Sequence, residues 1–211
     1  MKPIDDGSPR LFTVGHSNHA LEVFLALLKR HEIQVLADVR SSPYSRYVTH
    51  FDREALQAAL KQAGVTYFYL GKELGGRPEG AEFYDPDGHV LYYRLAETPL
   101  FVDGIKRLEA GIRRQRVAIM CSEENPCVCH RHLLVGRVIS RRGVAIDHIR
   151  GDGALVPNAA LLEAGFVQPT LFDPPEETTW KSLRSVLPKK TPSSSSASSD
   201  ATASGGSSMS D

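Results

Sequence analysis

Five short apolar runs alternate with amphipathic stretches between residues 11 and 149, and this alternation constrains the fold more than any other feature. The runs are Leu11–Gly15, Val35–Val39, Val65–Leu70, Val117–Met120 and Val144–Ile149. Each is short, rich in β-branched or aromatic residues, and reads as a buried strand. Between them, apolar residues recur at helical spacing. Leu21, Phe24, Leu25 and Leu28 form one face, with Ser17 or Asn18 as the cap. Asp52 reads as the N-cap of a second helix, with Phe51 packing on Leu56 and Gly64 ending it. Thr98 with Pro99 starts a third, carrying Phe101, Ile105, Leu108 and Ile112. A fourth carries Leu133, Leu134, Val138 and Ile139 and stops near Gly143. Residues Gly71 to Leu95, rich in Gly, Pro and Asp, read as one long loop. Strand–helix alternation of this kind implies an α/β fold: a mostly parallel, Rossmann-like sheet with helices on both faces, in a single domain.

That domain is expected over residues 11–167, after a flexible N-terminus at 1–10. Residues 168–190 form a Pro-rich segment that wraps the domain, with Phe172 and Trp180 as anchors. From 191 to 211 the composition collapses to Ser, Ala, Gly, Thr and Asp, which bury too little apolar surface to fold. Lysine plus arginine equals aspartate plus glutamate at 25 each, so net charge does not indicate a bulk grip on nucleic acid. No apolar run approaches the length of a membrane span, and the stretch Met1 to Arg10 is polar, without the apolar core expected of a secretion signal. Cytoplasm is the expected location, and the three clustered cysteines are expected to be reduced there.

A parallel sheet gathers the carboxyl ends of its strands at one edge, where such sheets bind ligands. Four polar clusters fall just after expected strands. The first is Gly15, His16, Ser17 and Asn18, where a glycine permits close approach and a helix start offers N–H groups to an anion. Simple capping by Ser17 or Asn18 is the competing reading. The second is Asp38, Arg40 and Ser41, continuing to Ser45. An aspartate in an apolar strand needs a partner, and Arg40, two residues on, points to the same side. The pair either fixes the loop or orients Arg40 toward a phosphate or carboxylate. The third is Gly75, Gly76 and Arg77, read as a backbone nest for an anion or as a plain glycine turn.

The fourth runs from Cys121 through Glu123 to Cys127, Cys129, His130 and Arg131. A thiol at a helix start beside cations is activated, whereas buried cysteines also simply pack. The spacing lacks the paired Cys-x2-4-Cys knuckles of structural zinc sites, so no residue is assigned to a metal, and no cofactor is assigned. Arginine is absent six residues beyond Cys121, where Cys127 stands, which excludes a cysteine phosphatase loop. Basic stretches at Arg113–Arg116 and Arg137–Arg142 fit solvated helix faces better than a nucleic-acid contact.

Taken in order, the stretches Thr13–Asn18, Asp38–Ser41 with Pro43 and Ser45, Phe51, Leu74–Gly76, Tyr92–Phe101, Met120–Glu123, Pro126 and Cys129–Arg131 resemble the domain-of-unknown-function 488 family. The resemblance covers about Leu11 to Ile149 and leaves out Cys127, His132 and the serine-rich tail. It implies an α/β domain in which these residues converge. It implies no activity.

The leading expectation is an enzyme acting on a phosphate-bearing, nucleotide-like or nucleic-acid-derived ligand. His16 or His130 would shuttle protons, Glu123 would act as second acid or base, and Cys129 would be a nucleophile. Arg40 and Arg131 would hold the anion, aided by Gly15, Ser17, Asn18, Asp38, Ser41, Ser45, Gly75, Gly76, Arg77 and Cys121. One alternative is a non-catalytic module that binds a nucleotide or nucleic acid. A second is a metalloprotein using the three cysteines and a histidine. Oligomeric state is not readable from these features.

Overall fold

The computed structural model describes residues 9–164 and 180–186. The expectations for Phe172, for most of the N-terminus and for the tail lie outside the described residues. The chain builds a six-stranded sheet in the order β3-β2-β4-β1-β5-β6. Its strands are β1 (Arg10–Gly15), β2 (Val35–Asp38), β3 (Thr66–Tyr69), β4 (Val117–Cys121), β5 (Ala145–Ile149) and β6 (Leu155–Pro157). The first five run parallel, and β6 returns antiparallel along β5.

Alternation along each strand divides the core into two layers. Phe12, Val14, Leu36, Ala118 and Met120 face α1 (Leu21–Arg30) and α2 (Arg53–Gln62), which bury Phe24, Leu28, Leu56 and Leu60. Leu11, Ala37, Val117, Ile119 and Ile146 face the opposite layer. That layer contains α3 (Gly71–Leu74), α4 (Tyr92–Ala96), α5 (Pro99–Ile112) and, after a π-helical segment at Arg131–Gly136, α6 (Arg137–Arg141). A short α7 (Asn158–Ala164) follows β6. The fold is α/β and Rossmann-like, with helices on both faces. Among the described residues no helix is long and apolar enough to cross a membrane.

Several local expectations are met for the reasons given. Thr98 Oγ1 accepts the amide of Phe101, and Pro99 occupies the first helical position of α5. Gly64 and Gly143 take positive φ where helices end. Trp180 itself packs on the domain: its indole N–H donates to the carbonyl of Leu133 at 2.7 Å, and Arg137 stacks on the ring at 4.7 Å.

Two local expectations are corrected, and a third is met in position but without its capping hydrogen bond. The N-cap of α1 is Ala20, because a turn from His16 to His19 delays the helix past Ser17 and Asn18. Asp52 stands at the N-cap of α2, yet its carboxylate accepts the amide of Ser45 instead of a helix N–H. The stretch from Gly71 to Leu95 is not one loop. It folds into α3, a 3-10 turn at Ala81–Phe83 and the start of α4, held by the buried Leu74, Val90 and Tyr92. Contacts distant in sequence override its loop-like composition.

Candidate functional site

The register sets Gly15 beside Cys121, and Asp38 beside both Met120 and Tyr69, so four strand ends share one edge. β1 and β4 are neighbours in the sheet. The chain leaves β1 for the α1 face and β4 for the α6 face. Such a divergence is where open α/β sheets form a ligand crevice.

On the α1 side, Asp38 is fully buried and holds Arg40. Its carboxylate accepts Nε of Arg40 at 2.9 and 3.2 Å, Nη2 at 2.7 Å and the Arg40 amide at 3.0 Å. The Tyr67 hydroxyl donates to it at 2.8 Å. Burial and the facing carboxylate push the Tyr67 phenol far up, so it remains a donor. Arg40 continues outward, donating from Nη2 to the carbonyl of Phe51 at 2.9 Å and from Nη1 to Nε2 of His16 at 3.2 Å. Nδ1 of His16 lies 2.8 Å from the carbonyl of Ser17, which can only accept, so Nδ1 carries the proton. Burial, then the charge of Arg40, lowers the His16 pKa to about 4. This imidazole is neutral near pH 7, bonded at both nitrogens and stacked on Phe51 at 4.4 Å.

On the α6 side, Cys121 ends β4, and Cys129 with His130 precedes the π-helical segment. Nδ1 of His130 lies 3.6 Å from Sγ of Cys121 and 3.9 Å from Sγ of Cys129. Its Nε2 lies 2.9 Å from the carbonyl of Val39, so Nε2 bears the hydrogen and Nδ1 offers a lone pair to the sulfurs. Burial opposes ionisation of Cys129, but its hydrogen bond with Cys121 and the nearby charge of Arg131 draw its thiol down. The Cys121 thiol is pushed up, first by its hydrogen bond with Cys129 and then by burial. The two halves of the edge meet at Val39 and Arg40.

Gly76 packs against the imidazole of His130: a Cβ there would fall 2.6 Å from the ring. Gly75 fits against Ser41, whose Oγ accepts the amide of Arg77 at 2.9 Å. Neither glycine has positive φ, so the pair serves close approach and builds no left-handed nest. The side chain of Arg77 is exposed beside this contact.

Arg131 is fully buried and acts as a clasp. Its guanidinium donates to Oγ1 of Thr13 at 3.3 Å, to the carbonyl of Glu123 and to the carbonyl of Glu124 at 2.6 Å. The loop it holds lies directly over Gly15, where a Cβ would meet the Glu123 carbonyl oxygen at 1.9 Å. The glycine therefore admits protein backbone. The amides of His16 and Ser17 donate to the carbonyls of Cys121 and Ser122, both at 2.9 Å, and are not offered to an anion as expected.

The remaining expected residues stand further out. Ser17 and Asn18 hydrogen-bond each other at the surface, and Ser45 accepts the amides of Tyr47 and Val48. The Glu123 side chain is exposed. Cys127 is half-buried and outside the thiol–imidazole cluster. Both basic stretches are partly absorbed by packing: Arg116 stacks on Phe12 and Arg142 pairs with Glu109. Sequence reasoning missed Tyr67 and the Glu124–Arg150 pair, whose two hydrogen bonds hold Glu124 at a pKa of about 2, and gave Thr13 no role beyond its place in the family resemblance. Only Thr13, a hydroxyl inside an apolar strand, left a signal.

A family model described as "Domain of unknown function DUF488" matches residues 20–138, more than half of the chain. This chain belongs to the DUF488 family. The matched region of this DUF488 member holds Asp38, Arg40, Gly76, Cys121, Cys129, His130 and Arg131. His16, which directly follows β1, and the whole of β5 lie outside it. No curated protein and no solved structure matches the chain.

Proposed function

We propose that this DUF488 protein is an enzyme acting on an anionic, phosphate-bearing or nucleotide-like ligand, with Cys121, Cys129 and His130 as its reaction centre. One observation carries the reading: a tautomer-fixed imidazole turns its free nitrogen toward two sulfurs at the carboxyl edge of a parallel sheet. Packing alone does not require this, since aliphatic residues would fill the same space without polar atoms. Arg77 supports the choice of an anion. It is exposed, its backbone is anchored by Ser41, and it follows the glycine that touches His130. Glu123, exposed on the neighbouring loop, supplies a carboxylate for proton transfer. Arg40, His16 and Arg131 are positioning residues in this reading, because their hydrogen bonds run to protein groups.

That last point also favours a second reading, a non-catalytic module that binds the same ligand class. The two differ in product formation. Small molecules retained by the native protein would be identified by mass spectrometry and offered as substrates. The enzyme reading expects turnover that Cys129→Ala or His130→Ala removes, and tighter binding by native protein than by Arg77→Ala. Native-rate turnover in both cluster variants would refute the reaction centre. Retained ligand with no turnover by native protein would select the binding module.

A further inference from the structure

The thiol–imidazole cluster has the dimensions of a metal site. The ligand atoms of Cys121, Cys129 and His130 all lie within 4.8 Å of one another. Zinc bonds of about 2.3 Å to sulfur and about 2.0 Å to nitrogen in a tetrahedron put sulfur and nitrogen about 3.5 Å apart. The observed separations from Nδ1 are 3.6 and 3.9 Å. We propose that these three residues bind one zinc-class divalent ion through two thiolates and the Nδ1 of His130, leaving the fourth position to solvent or ligand.

Three further observations support this assignment. The Nε2–H of His130 donates to the Val39 carbonyl, the outer hydrogen bond that metal-bound histidines use to fix tautomer and ring orientation. Gly76 presses on the ring from the side, so the lone pair is aimed before any ion arrives. Both cysteines are buried, at 7% and 2% exposure, and come from separate elements, one ending β4 and the other preceding the π-helical segment. Their position is therefore set by the fold and does not depend on a flexible knuckle. Two thiolates offset a divalent charge, so the filled centre adds no net charge to a low-dielectric site. Sulfur with imidazole selects zinc-like ions over magnesium or calcium, which prefer oxygen. Three protein ligands with one position open is the arrangement of reactive zinc centres, whereas structural centres close all four.

The inference goes beyond the proposed function and needs no substrate to be tested. Full-length protein would be reduced, its thiols counted, stripped with chelator, and titrated with Co(II) and then Zn(II). One equivalent of Co(II) should bind with a thiolate-to-metal charge-transfer absorption that Zn(II) removes. Cys127→Ser should keep that absorption, and Cys121→Ser and Cys129→Ser should lose it. Zinc should raise the melting temperature of native protein and of Cys127→Ser. Absence of stoichiometric binding by native protein with all three thiols reduced would overturn the site. So would loss of the absorption in Cys127→Ser with retention in Cys129→Ser. Should the cluster variants fail to fold, the native titration and the Cys127→Ser control still decide. Metal binding without turnover would leave this site standing while removing the enzyme reading.

Discussion

Nδ1 of His130 faces Sγ of Cys121 at 3.6 Å, while Nε2 of the same ring is held 2.9 Å from the carbonyl of Val39. A residue following β4 is thus oriented by the end of β2, its neighbour in the sheet, and Gly76 closes the third side. The contact with Gly76 gives the first prediction. Gly76→Ala pushes a methyl into the ring, and the imidazole can yield only by breaking its bond to Val39. Destabilisation of about 1–3 kcal/mol is expected, together with at least tenfold weaker Co(II) binding. Gly15→Ala must displace the Glu123 backbone, so its cost should be the larger in urea denaturation. Equal costs would contradict the distinction between side-chain and backbone collisions.

Asp38 and Arg40 form a buried ion pair whose removal should be costly. Arg40→Met leaves the carboxylate, among the described residues, with the Tyr67 hydroxyl as its one remaining side-chain donor. Unfolding free energy should fall by about 3–5 kcal/mol, measured at equilibrium in urea. A loss below about 1 kcal/mol would mean that the pair does not hold the edge together.

Arg131 fixes the loop over Gly15 through a planar fork of donors, a geometry that lysine cannot reproduce. Arg131→Lys should therefore loosen residues 122–125 without abolishing the sheet. The Ser17 amide, bonded to the Ser122 carbonyl, should lose hydrogen-exchange protection by tenfold or more, while that of Leu36 in β2 is retained. Unchanged exchange at Ser17 would show that the clasp is redundant.

Stability should depend on pH through two buried histidines. His16 and His148 each have their pKa lowered from 6.5 to about 4, in both cases first by burial. Between these values the unfolded chain binds more protons than the folded one, so stability rises with pH across the window and falls on acidification. Each histidine contributes a slope of about 1.4 kcal/mol per pH unit within it. The Glu124–Arg150 pair adds a separate loss between pH 4.5 and about 2. His148→Gln should remove one proton from the slope between pH 6.5 and 4. A flat stability profile across that range in native protein would refute both assignments.

The strand–helix alternation was legible because it reflects periods of 2 and 3.6 residues, which each segment carries by itself. The Asp38–Arg40 pair was legible for a similar reason, since two residues along one strand share a side. Helix starts were less so: Thr98 caps α5, but the turn at His16 moved the α1 cap to Ala20. The Gly71–Leu95 stretch was misread because its order comes from distant partners, such as the bridge between Leu91 and Lys181.

The chain's own pattern therefore determined the α/β class, the two-sided core and the edge where polar residues would gather. Tertiary structure alone decided which of them would meet. Cys127 and Cys129 are two residues apart, yet only the second enters the cluster. Arg131 adjoins His130 and points into a different task. Both outcomes follow from strand order and from backbone carbonyls supplied by other elements, namely Val39 for His130 and Glu123 with Glu124 for Arg131. Every residue has such a carbonyl, so its use as an acceptor leaves no trace in the sequence.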